Sequence, residues 1–449
     1  MNAFPSPAAF PPGFQFGAAT SAYQIEGAAA EDGRGPSWWD TFARQPGRTR
    51  DASTGDVACD HYHRWEEDLD LMQALGLQAY RFSIAWPRVL PEGRGWLNPA
   101  GLDFYERLVD GLLARGITPY ATLYHWDLPQ TLADAGGWQV RETADAFAEF
   151  SVHAMRRLGD RVARWATLNE PRCAAFVGHY EDRHAPGGTD LGATLKAAHH
   201  MLLAHGRAVQ ALRAERPEAS LGIVLDVRPY TAAAPGAEHE AAVRRADGLF
   251  NRWFMDALYK GRYPEDMAAD YAGVMPPIAE GDMALISQPL DQLGINYYTR
   301  GHVLHAPEAR YPHVAEQRVP GAHYSSMEWE DWPEGLYRML TRIHRDYAPK
   351  AIYVAENGAA ENEVVGADGH CHDPARVNYM AGHLSACAQA LAEGVPLDAY
   401  LAWSLMDNFE WGRGYTQRFG LVHVDYATQR RTPKDSALAY RDFIEAFRK

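Results

Sequence analysis

The sequence predicts an α/β fold, a single (β/α)8 TIM barrel with elaborated βα loops. Eight short apolar runs, rich in β-branched and aromatic residues, alternate with longer helical patterns, which is typical of parallel β/α units. No linker or composition break divides the 449 residues, so we expect one domain over 1–449. The alternative, a doubly wound sheet, usually carries a glycine-rich phosphate turn after its first strand. GAATSAYQ matches that turn poorly, which favours the barrel.

The predicted elements follow one another in a regular order. The strands are FQFGAAT (14–20), AYRFSIAW (79–86), ITPYATLYH (117–125), RWATLNE (164–170), SLGIVLD (220–226), DQLGINYY (291–298), AIYVAENG (351–358) and DAYLAWSLMD (398–407). Helical patterns between and after them cover 100–115, 142–158, 190–214, 374–393 and 434–447. Asp373 followed by Pro374 is typical of a helix start, because a proline at the first helical position needs no N–H partner.

Charge and composition exclude several classes of protein. The chain has 58 acidic and 43 basic residues and a formal charge of −15, so we expect no nucleic-acid or membrane partner. The sequence has no run of about 18 apolar residues, so we predict no transmembrane helix. The segment MNAFPSPAAFPPGF lacks the positive start of a secretory signal. The four cysteines show no CxxC spacing, and we expect a cytoplasmic protein with reduced thiols.

Functional residues of a TIM barrel lie at the carboxyl ends of its strands. In this sequence those positions are rich in carboxylates, amides and tryptophans. They are Gln24 and Glu26 after the first strand, Arg81 and Trp86 on the second, His125 and Trp126 after the third, Asn169 and Glu170 after the fourth, Asn296 and Tyr298 at the sixth, Glu356 and Asn357 at the seventh, and Trp403, Glu410 and Trp411 at the eighth. The same positions contain no serine nucleophile elbow, phosphate loop or HExxH helix.

Two of these carboxylates suggest a specific chemistry. Glu170 lies in TLNEP and Glu356 in VAENG, each directly after apolar strand residues and each beside an asparagine. One such glutamate alone could be only the partner of a barrel arginine such as Arg81. Two carboxylates facing each other are what glycoside hydrolysis requires, one to protonate the leaving oxygen and one to attack or stabilise the anomeric carbon.

The ordered motifs of this chain resemble those of the retaining β-glycosidases of glycoside hydrolase family 1, of the β-glucosidase type. The motifs are FQFGAATSAYQIEGA (14–28), YRFSIAWPR (80–88), LYHWDLPQ (123–130), TLNEP (167–171), GINYY (294–298), AENG (355–358), WSLMDNFEW (403–411) and GYTQRFGLVHVDY (414–426). The resemblance implies a single catalytic domain that hydrolyses terminal non-reducing β-D-glucosyl residues by double displacement, with activity on β-fucosides and β-galactosides as well. The implied substrates are small-molecule β-glycosides or cello-oligosaccharides. We expect no cofactor and no metal, and the choice between monomer and homo-oligomer stays open.

The resemblance also implies roles for individual residues. Glu170 corresponds to the general acid/base and Glu356 to the nucleophile, with Arg81 supporting the nucleophile. The implied substrate-binding residues are Gln24, His125, Asn169, Asn296, Tyr298, Trp329, Trp403, Glu410, Trp411 and Phe419. Among them, Asn169 is expected at the sugar 2-OH, Phe419 near the 6-position and Trp329 on the leaving-group side.

Other conspicuous residues are expected to be structural. His61 and His63 stand near Cys59, but no further ligand follows at a suitable spacing, so we predict no metal site. The pair His199 and His200 is expected on a helix surface. The acidic segment EWED (328–331) is expected to be a solvated loop.

Departures from the family pattern concern the loop GHYEDRHAPGG (178–188). His179 stands where the family commonly has Tyr, and Asp182 where it commonly has Gly, which bears on leaving-group preference. Three alternative functions are disfavoured by particular residues. A 6-phospho-β-glycosidase is disfavoured because Glu410 would repel the phosphate, a thioglycosidase because Glu170 is present, and an inactive sugar-binding relative because both carboxylates are present.

Overall fold

The centre of the protein is a closed barrel of eight parallel strands. A computed structural model describes residues 3–162 and 164–449. The strands, numbered in chain order, are β1 Gln15–Ala19, β2 Ala79–Ser83, β3 Thr118–Tyr124, β4 Arg164–Asn169, β5 Ser220–Asp226, β6 Gln292–Asn296, β7 Ile352–Asn357 and β8 Leu397–Trp403. Each strand pairs with its sequence neighbours, and β1 pairs with β8 to close the barrel. The predicted TIM barrel is confirmed.

Helices between the strands form the outer layer. The α-helices are Ala22–Ile25, Trp38–Ala43, His61–Ala74, Trp86–Val89, Pro99–Ala114, Gln130–Asp134, Glu142–Leu158, Leu191–Glu215, Ala237–Asp247, Trp253–Lys260, Glu265–Asp270, Asp282–Ile286, Pro333–Tyr347, Pro374–Ala392 and Asp435–Arg448. Short 3₁₀ turns cover Pro7–Ala9, Gly137–Gln139 and Trp411–Arg413, and π-helical turns cover Cys173–Val177 and Gly248–Arg252. The predicted helices begin and end within one residue of the observed bounds. No helix in the two described ranges is long and apolar enough to cross a membrane.

The interior of the barrel is filled with side chains. Residues that point inward form a buried cluster separate from the larger core between strands and helices: Ala19, Ala79, Tyr120, Ala166, Val224, Tyr353, Ala399 and Leu401. In β1, for example, Ala18 faces the helices while Ala19 faces inward, as the two-residue period of a strand requires. The packed interior is not a pore, so a cavity can open only beyond the strand ends.

Several strands are shorter than predicted at their carboxyl ends. The chain leaves β2 at Ser83 because Trp86 and Pro87 begin a short helix. Likewise β6 ends at Asn296 and β8 at Trp403, although the apolar runs continue. The residues beyond these ends belong to the loops above the barrel, where side chains can turn toward a shared cavity.

The loops after the later strands carry small sheets of their own. Tyr230–Ala232, Gly301–His305 and Val314–Glu316 form a three-stranded sheet from the loops that follow β5 and β6. Val422–Asp425 pairs with Arg430–Pro433 after β8. These are the elaborated βα loops that the length of the chain predicts.

The expected surface position of His199 and His200 is wrong. Both are buried on the helix Leu191–Glu215. The His199 ring lies 3.0 Å from an Asp282 carboxylate oxygen and 2.9 Å from the Tyr263 hydroxyl. This helix packs against Glu142–Leu158 on one side and Asp282–Ile286 on the other, so neither histidine reaches solvent.

The segment 328–331 is only partly a solvated loop. Glu328 is exposed, but Glu330 is buried and pairs with Arg300 at 2.8 and 2.9 Å. The Arg300 partner comes from the loop after β6, a long-range contact that local composition does not reveal.

Candidate active site

A cavity of about 870 Å³ opens at the carboxyl ends of the barrel strands. The predicted site residues that line it are His125, Glu170, Asn296, Tyr298, Trp329, Glu356, Trp403, Glu410, Trp411 and Phe419. Gln24, Arg81 and Asn169 are buried behind this wall and contact lining residues through hydrogen bonds. The structure therefore brings together every residue to which the family resemblance assigns a role.

Both glutamates that point to glycoside chemistry follow an irregularity in strand pairing. The register between β4 and β5 shifts between Ala166 and Asn169, and Glu170 has a positive φ of 45°. The register between β7 and β6 shifts between Val354 and Glu356. A shift of this kind bends the strand and re-aims the side chain that follows it. In both strands the result is a carboxylate directed into the cavity.

Glu356 lies among groups that favour its ionised form. Arg81 Nη1 donates to one carboxylate oxygen at 2.7 Å, and the Tyr298 hydroxyl donates to the other at 2.6 Å. Burial raises the pKa of Glu356, while the charge of Arg81 and the hydrogen bond from Tyr298 oppose that increase. The two contacts therefore favour the carboxylate form of Glu356, which is the form that a nucleophile requires.

Glu170 has the opposite surroundings. Its direct hydrogen-bond partner is the Asn296 amide, which donates to Oε1 at 2.7 Å. Burial raises the pKa of Glu170 well above its usual value, and the negative charges of Asp226 and Glu356 raise it further. Glu170 therefore retains a proton more readily than Glu356 does, and two carboxyl groups with divergent environments are the arrangement of an acid and a nucleophile.

Asn169 connects the two sides of the site and sets the tautomer of His125. Its side-chain oxygen accepts from Arg81 Nη2 at 2.6 Å and from Asn296 Nδ2 at 3.1 Å, so its nitrogen must face His125. That nitrogen lies 3.1 Å from His125 Nε2, which must then be the acceptor. His125 Nδ1 consequently carries the proton, and no protein group in the described residues accepts it. Burial lowers the pKa of His125 well below its usual value, so the ring is a neutral donor.

Gln24 and Glu410 form the polar floor on the β8 side. Gln24 Nε2 donates to Asn408 Oδ1 and to the Phe409 carbonyl, both at 2.9 Å, and reaches Glu410 Oε2 at 3.5 Å. Burial and the charge of Glu356 raise the pKa of Glu410 to about 8. The Glu410 carboxyl therefore retains its proton more readily than an ordinary glutamate, and in its protonated form it can both donate to and accept from a hydroxyl group.

Aromatic rings cover the remaining surfaces of the inner cavity. The His125 ring is nearly parallel to Trp403 and to Trp411, with centroids 5.9 and 6.0 Å apart. On another side Trp329 lies 5.1 Å from Tyr298 and 6.0 Å from Phe419, measured between centroids. Ring faces beside polar groups suit a ligand that has both C–H faces and hydroxyl edges, as a sugar does.

Sequence reasoning missed Asp226 and Arg172. Asp226 ends β5, lines the cavity and forms an ion pair with Arg172, two residues after Glu170. The signal was available, because Asp226 is the last residue of the predicted run SLGIVLD. The strand-end positions predicted to be functional included none from the fifth strand.

The two unusual residues of the loop 178–188 differ in position. His179 is buried against the Trp38 ring, and burial lowers its pKa to about 4. Asp182 is exposed, lines the mouth of the cavity and pairs with Arg48 at 2.9 Å. Of the two departures, only Asp182 can meet a ligand directly.

No cluster of three or more His, Cys, Asp or Glu side chains in the described part of the chain could hold a metal ion. His61 contacts Asp68 in the interior, whereas His63 contacts Asp60 and Glu31 at the surface. All four cysteines are buried and free.

Comparison with known proteins gives consistent matches over nearly the whole chain. The family described as "Glycosyl hydrolase family 1" matches residues 6–448. "Beta-glucosidase A" of Thermotoga maritima is 45% identical over 444 residues, covering 97% of this chain and 98% of that protein. The "Bifunctional beta-D-glucosidase/beta-D-fucosidase" of Bifidobacterium breve is 45% identical over 460 residues, with 97% and 98% covered. The solved structure "Family 1 b-glucosidase from Thermotoga maritima" superposes with a TM-score of 0.95 at 45% identity, covering 98% of both chains.

Proposed function

This chain belongs to glycosyl hydrolase family 1, and we propose that it hydrolyses terminal non-reducing β-D-glucosyl residues of small-molecule β-glycosides with retention of configuration. The observation that carries the proposal is the asymmetry between Glu170 and Glu356. Arg81 and Tyr298 favour the ionised form of Glu356, whereas burial and negative neighbours favour a protonated Glu170. Double displacement needs one group of each kind.

In the first half-reaction a Glu356 oxygen attacks the anomeric carbon, and the bond from that carbon to the leaving oxygen breaks. Glu170 gives its proton to the leaving oxygen, and the product is a glycosyl ester of Glu356. Because the ester carries no charge, one of the repulsions that raise the pKa of Glu170 disappears. Glu170 can then remain a carboxylate, take a proton from water and so direct the water to the anomeric carbon. The ester bond breaks, and β-glucose is released.

The neighbouring groups support this sequence by position. Asn169 Nδ2 uses one N–H toward His125 and has a second N–H for the sugar 2-OH. Strengthening of that contact as the oxocarbenium ion develops would lower the barrier. Arg81 donates to both Glu356 and Asn169, so it fixes the position of the nucleophile relative to the 2-OH donor.

Recognition of the sugar is assigned to the β8 side of the cavity. We propose that Trp403 lies under the sugar ring, that His125 and Trp411 contact ring hydroxyls, and that Gln24 and Glu410 meet the 4-OH. Glucose and galactose differ only at that hydroxyl. A carboxyl group that both donates and accepts can serve either epimer, which supports β-galactosidase activity as a second activity.

Activity on β-fucosides is supported by two observations. The apolar Phe419 ring lines the cavity where the sugar 6-position is proposed, and the 6-methyl group of fucose suits such a surface. The relative from Bifidobacterium breve is named for both glucosidase and fucosidase activities.

The variants of the two glutamates test the proposal. Glu356→Ala is expected to abolish turnover of every substrate. Glu170→Ala is expected to retain formation of the glycosyl-enzyme from activated aryl β-glucosides, because such leaving groups depart without a proton, and azide should accelerate the second step. The exposed Glu240 lies outside the cavity lining, so Glu240→Ala is the matched control and should behave as the unmodified enzyme.

The stereochemistry of the first product is the decisive readout. Proton NMR of an aryl β-glucoside digest should show β-glucose first, followed by mutarotation. α-Glucose as first product would contradict the retaining mechanism. Azide rescue of Glu356→Ala that yields a β-glycosyl azide would reverse the two roles.

A further inference from the structure

The mouth of the cavity contrasts in charge with the whole chain, which has a formal charge of −15. Carboxylates at the mouth are each paired with an arginine of the same region. The pairs are Asp182 with Arg48, Glu181 with Arg183, and Glu316 with Arg228. These carboxylates therefore leave no negative charge free to attract a cation or to neutralise further arginines.

Three more arginines line the same cavity without a carboxylate partner in the described residues: Arg50, Arg310 and Arg413. Arg50 and Arg310 are exposed, and Arg413 is half-buried. Arg310 donates to the Tyr180 carbonyl at 2.9 Å and packs over the Tyr180 ring, so it is positioned but not neutralised. The mouth carries a positive surplus as a result.

Arg50 and Arg413 belong to one wall. The backbone N–H of Arg50 donates to the Gly412 carbonyl at 3.0 Å, which places the two arginine segments side by side. The same wall contains Arg48, whose charge is already taken by Asp182. The charge of Arg413 interacts with Glu410 at the inner edge of this wall, whereas Arg50 has no carboxylate partner in the described residues. An anion supplied by a ligand would reduce the repulsion between the two arginines. A guanidinium fork matches the two oxygens of a carboxylate.

We propose that this wall binds a carboxylate on the leaving group, so that the enzyme prefers β-glucosides of acidic aglycones, namely aromatic acids or uronic acids. The inference rests on the proposed function, because it names the substrate class of the same site. The sugar end of the cavity is enclosed by Phe419, Trp403 and Trp411, all buried, whereas Arg50 is exposed at the mouth. The acidic group is therefore assigned to the aglycone and not to the glucosyl unit.

The test compares 4-carboxyphenyl β-D-glucoside with its neutral methyl ester. The two leaving groups differ in basicity, so the quantity of interest is the acid-to-ester ratio of kcat/KM compared between enzyme variants, in which that difference cancels. Arg50→Gln with Arg413→Gln is expected to lower the ratio about three- to tenfold, since each partly solvated pair contributes modestly. Arg430→Gln is the matched control, because Arg430 is exposed, has no carboxylate partner in the described residues and lies outside the cavity lining.

Salt provides a second readout, because 1 M salt shortens the screening length to about 3 Å. The ratio of the unmodified enzyme should fall toward that of the double variant, and the ratio of the double variant should change little. A parallel pair, cellobiose and β-glucosyl-(1→4)-glucuronic acid, identifies the source of the carboxylate. If the enzyme prefers the acid only among the phenyl glucosides, the wall binds aromatic acids. If it prefers the acid only among the disaccharides, the wall binds sugar acids.

The failures of the two proposals are distinguishable. If the methyl ester is hydrolysed but the ratio is the same in the double variant, the control and the unmodified enzyme, the carboxylate site is wrong and the glucosidase proposal stands. If neither glucoside is hydrolysed, the proposed function itself fails. If the double variant changes hydrolysis of a glucoside 6-phosphate and not of the carboxyphenyl glucoside, the arginines serve the sugar, which also overturns the inference.

Discussion

Asp226 should set the alkaline limit of activity through its effect on Glu170. The perturbation is Asp226→Asn, which keeps the shape of the side chain and removes its charge. Burial is the largest cause of the raised pKa of Glu170, and the negative charge of Asp226 is the second largest. Its removal also frees Arg172, whose positive charge lowers the same pKa. Both consequences have the same sign, so the pKa of Glu170 must fall.

The magnitude follows from the proximity of the charges. A like charge beside a buried carboxyl group shifts its pKa by about one unit or more, and one unit corresponds to about 1.4 kcal/mol. The pH profile of kcat/KM reports the free enzyme, and its alkaline limb is assigned to loss of the Glu170 proton. That limb should therefore move down by at least about one unit, with about a tenfold loss of kcat/KM on the alkaline side. The acid limb, assigned to Glu356, should stay in place.

The assay is a pH series of kcat/KM with an aryl β-glucoside that needs protonation to leave. The matched control is Asp398→Asn, which breaks an Asp–Arg pair between β8 and β4 at the opposite end of the barrel. The control should leave the limb where it is. An equal loss of activity at every pH in Asp226→Asn, or movement of the limb to higher pH, would refute the electrostatic reasoning.

Three further predictions test other parts of the site and fold. Tyr298→Phe removes a hydrogen bond that lowers the pKa of Glu356, so the acid limb of kcat/KM should move to higher pH. An unchanged acid limb would show that Tyr298 does not influence the ionisation of the nucleophile. A glucoside 6-phosphate should be hydrolysed at least about a hundredfold less efficiently than the glucoside, a difference of about 2.7 kcal/mol, and comparable kcat/KM values would contradict the placement of the 6-position at Phe419. Lys434→Ala leaves Asp407 buried with one cation fewer and should lower the free energy of unfolding by about 3 kcal/mol. Urea denaturation would measure that loss, with the exposed Lys350→Ala, expected to cost less than about 1 kcal/mol, as the control.

Local patterns predicted most of the fold because the barrel strands are continuous apolar runs. Such runs can be recognised from the local sequence alone. Strand ends were less predictable. An apolar run such as DAYLAWSLMD continues past the point where β8 leaves the sheet at Trp403, and only the neighbouring strand decides where pairing stops. The capping prediction at Asp373 shows the same limit. The residue does precede the helix at Pro374, yet its carboxylate binds Ser436 and Arg376 instead of capping.

The site was predictable to the extent that its residues follow strands or belong to family motifs. The contacts that tune them come from elsewhere in the chain. Asp226 raises the pKa of Glu170 across 56 positions of sequence (226 minus 170), and His199 is buried because Asp282 lies beside it. Such pairings depend on which helix or strand becomes a neighbour, and no local spacing contains that information.

The closure of the barrel between β1 and β8 has a consequence for biosynthesis. Gln24 and Glu410 meet at the wall of the cavity although 386 positions separate them, and β1 gains its second partner only from β8. A nascent chain emerging from the ribosome can therefore form its first strands early, but it holds no complete sugar pocket until β8 and the lining residues after it, up to Phe419, have emerged. Contacts between the two ends of a chain form slowly because a long loop must close first. Enzymatic activity should accordingly appear only after the residues up to Phe419 have emerged and β8 has paired with β1.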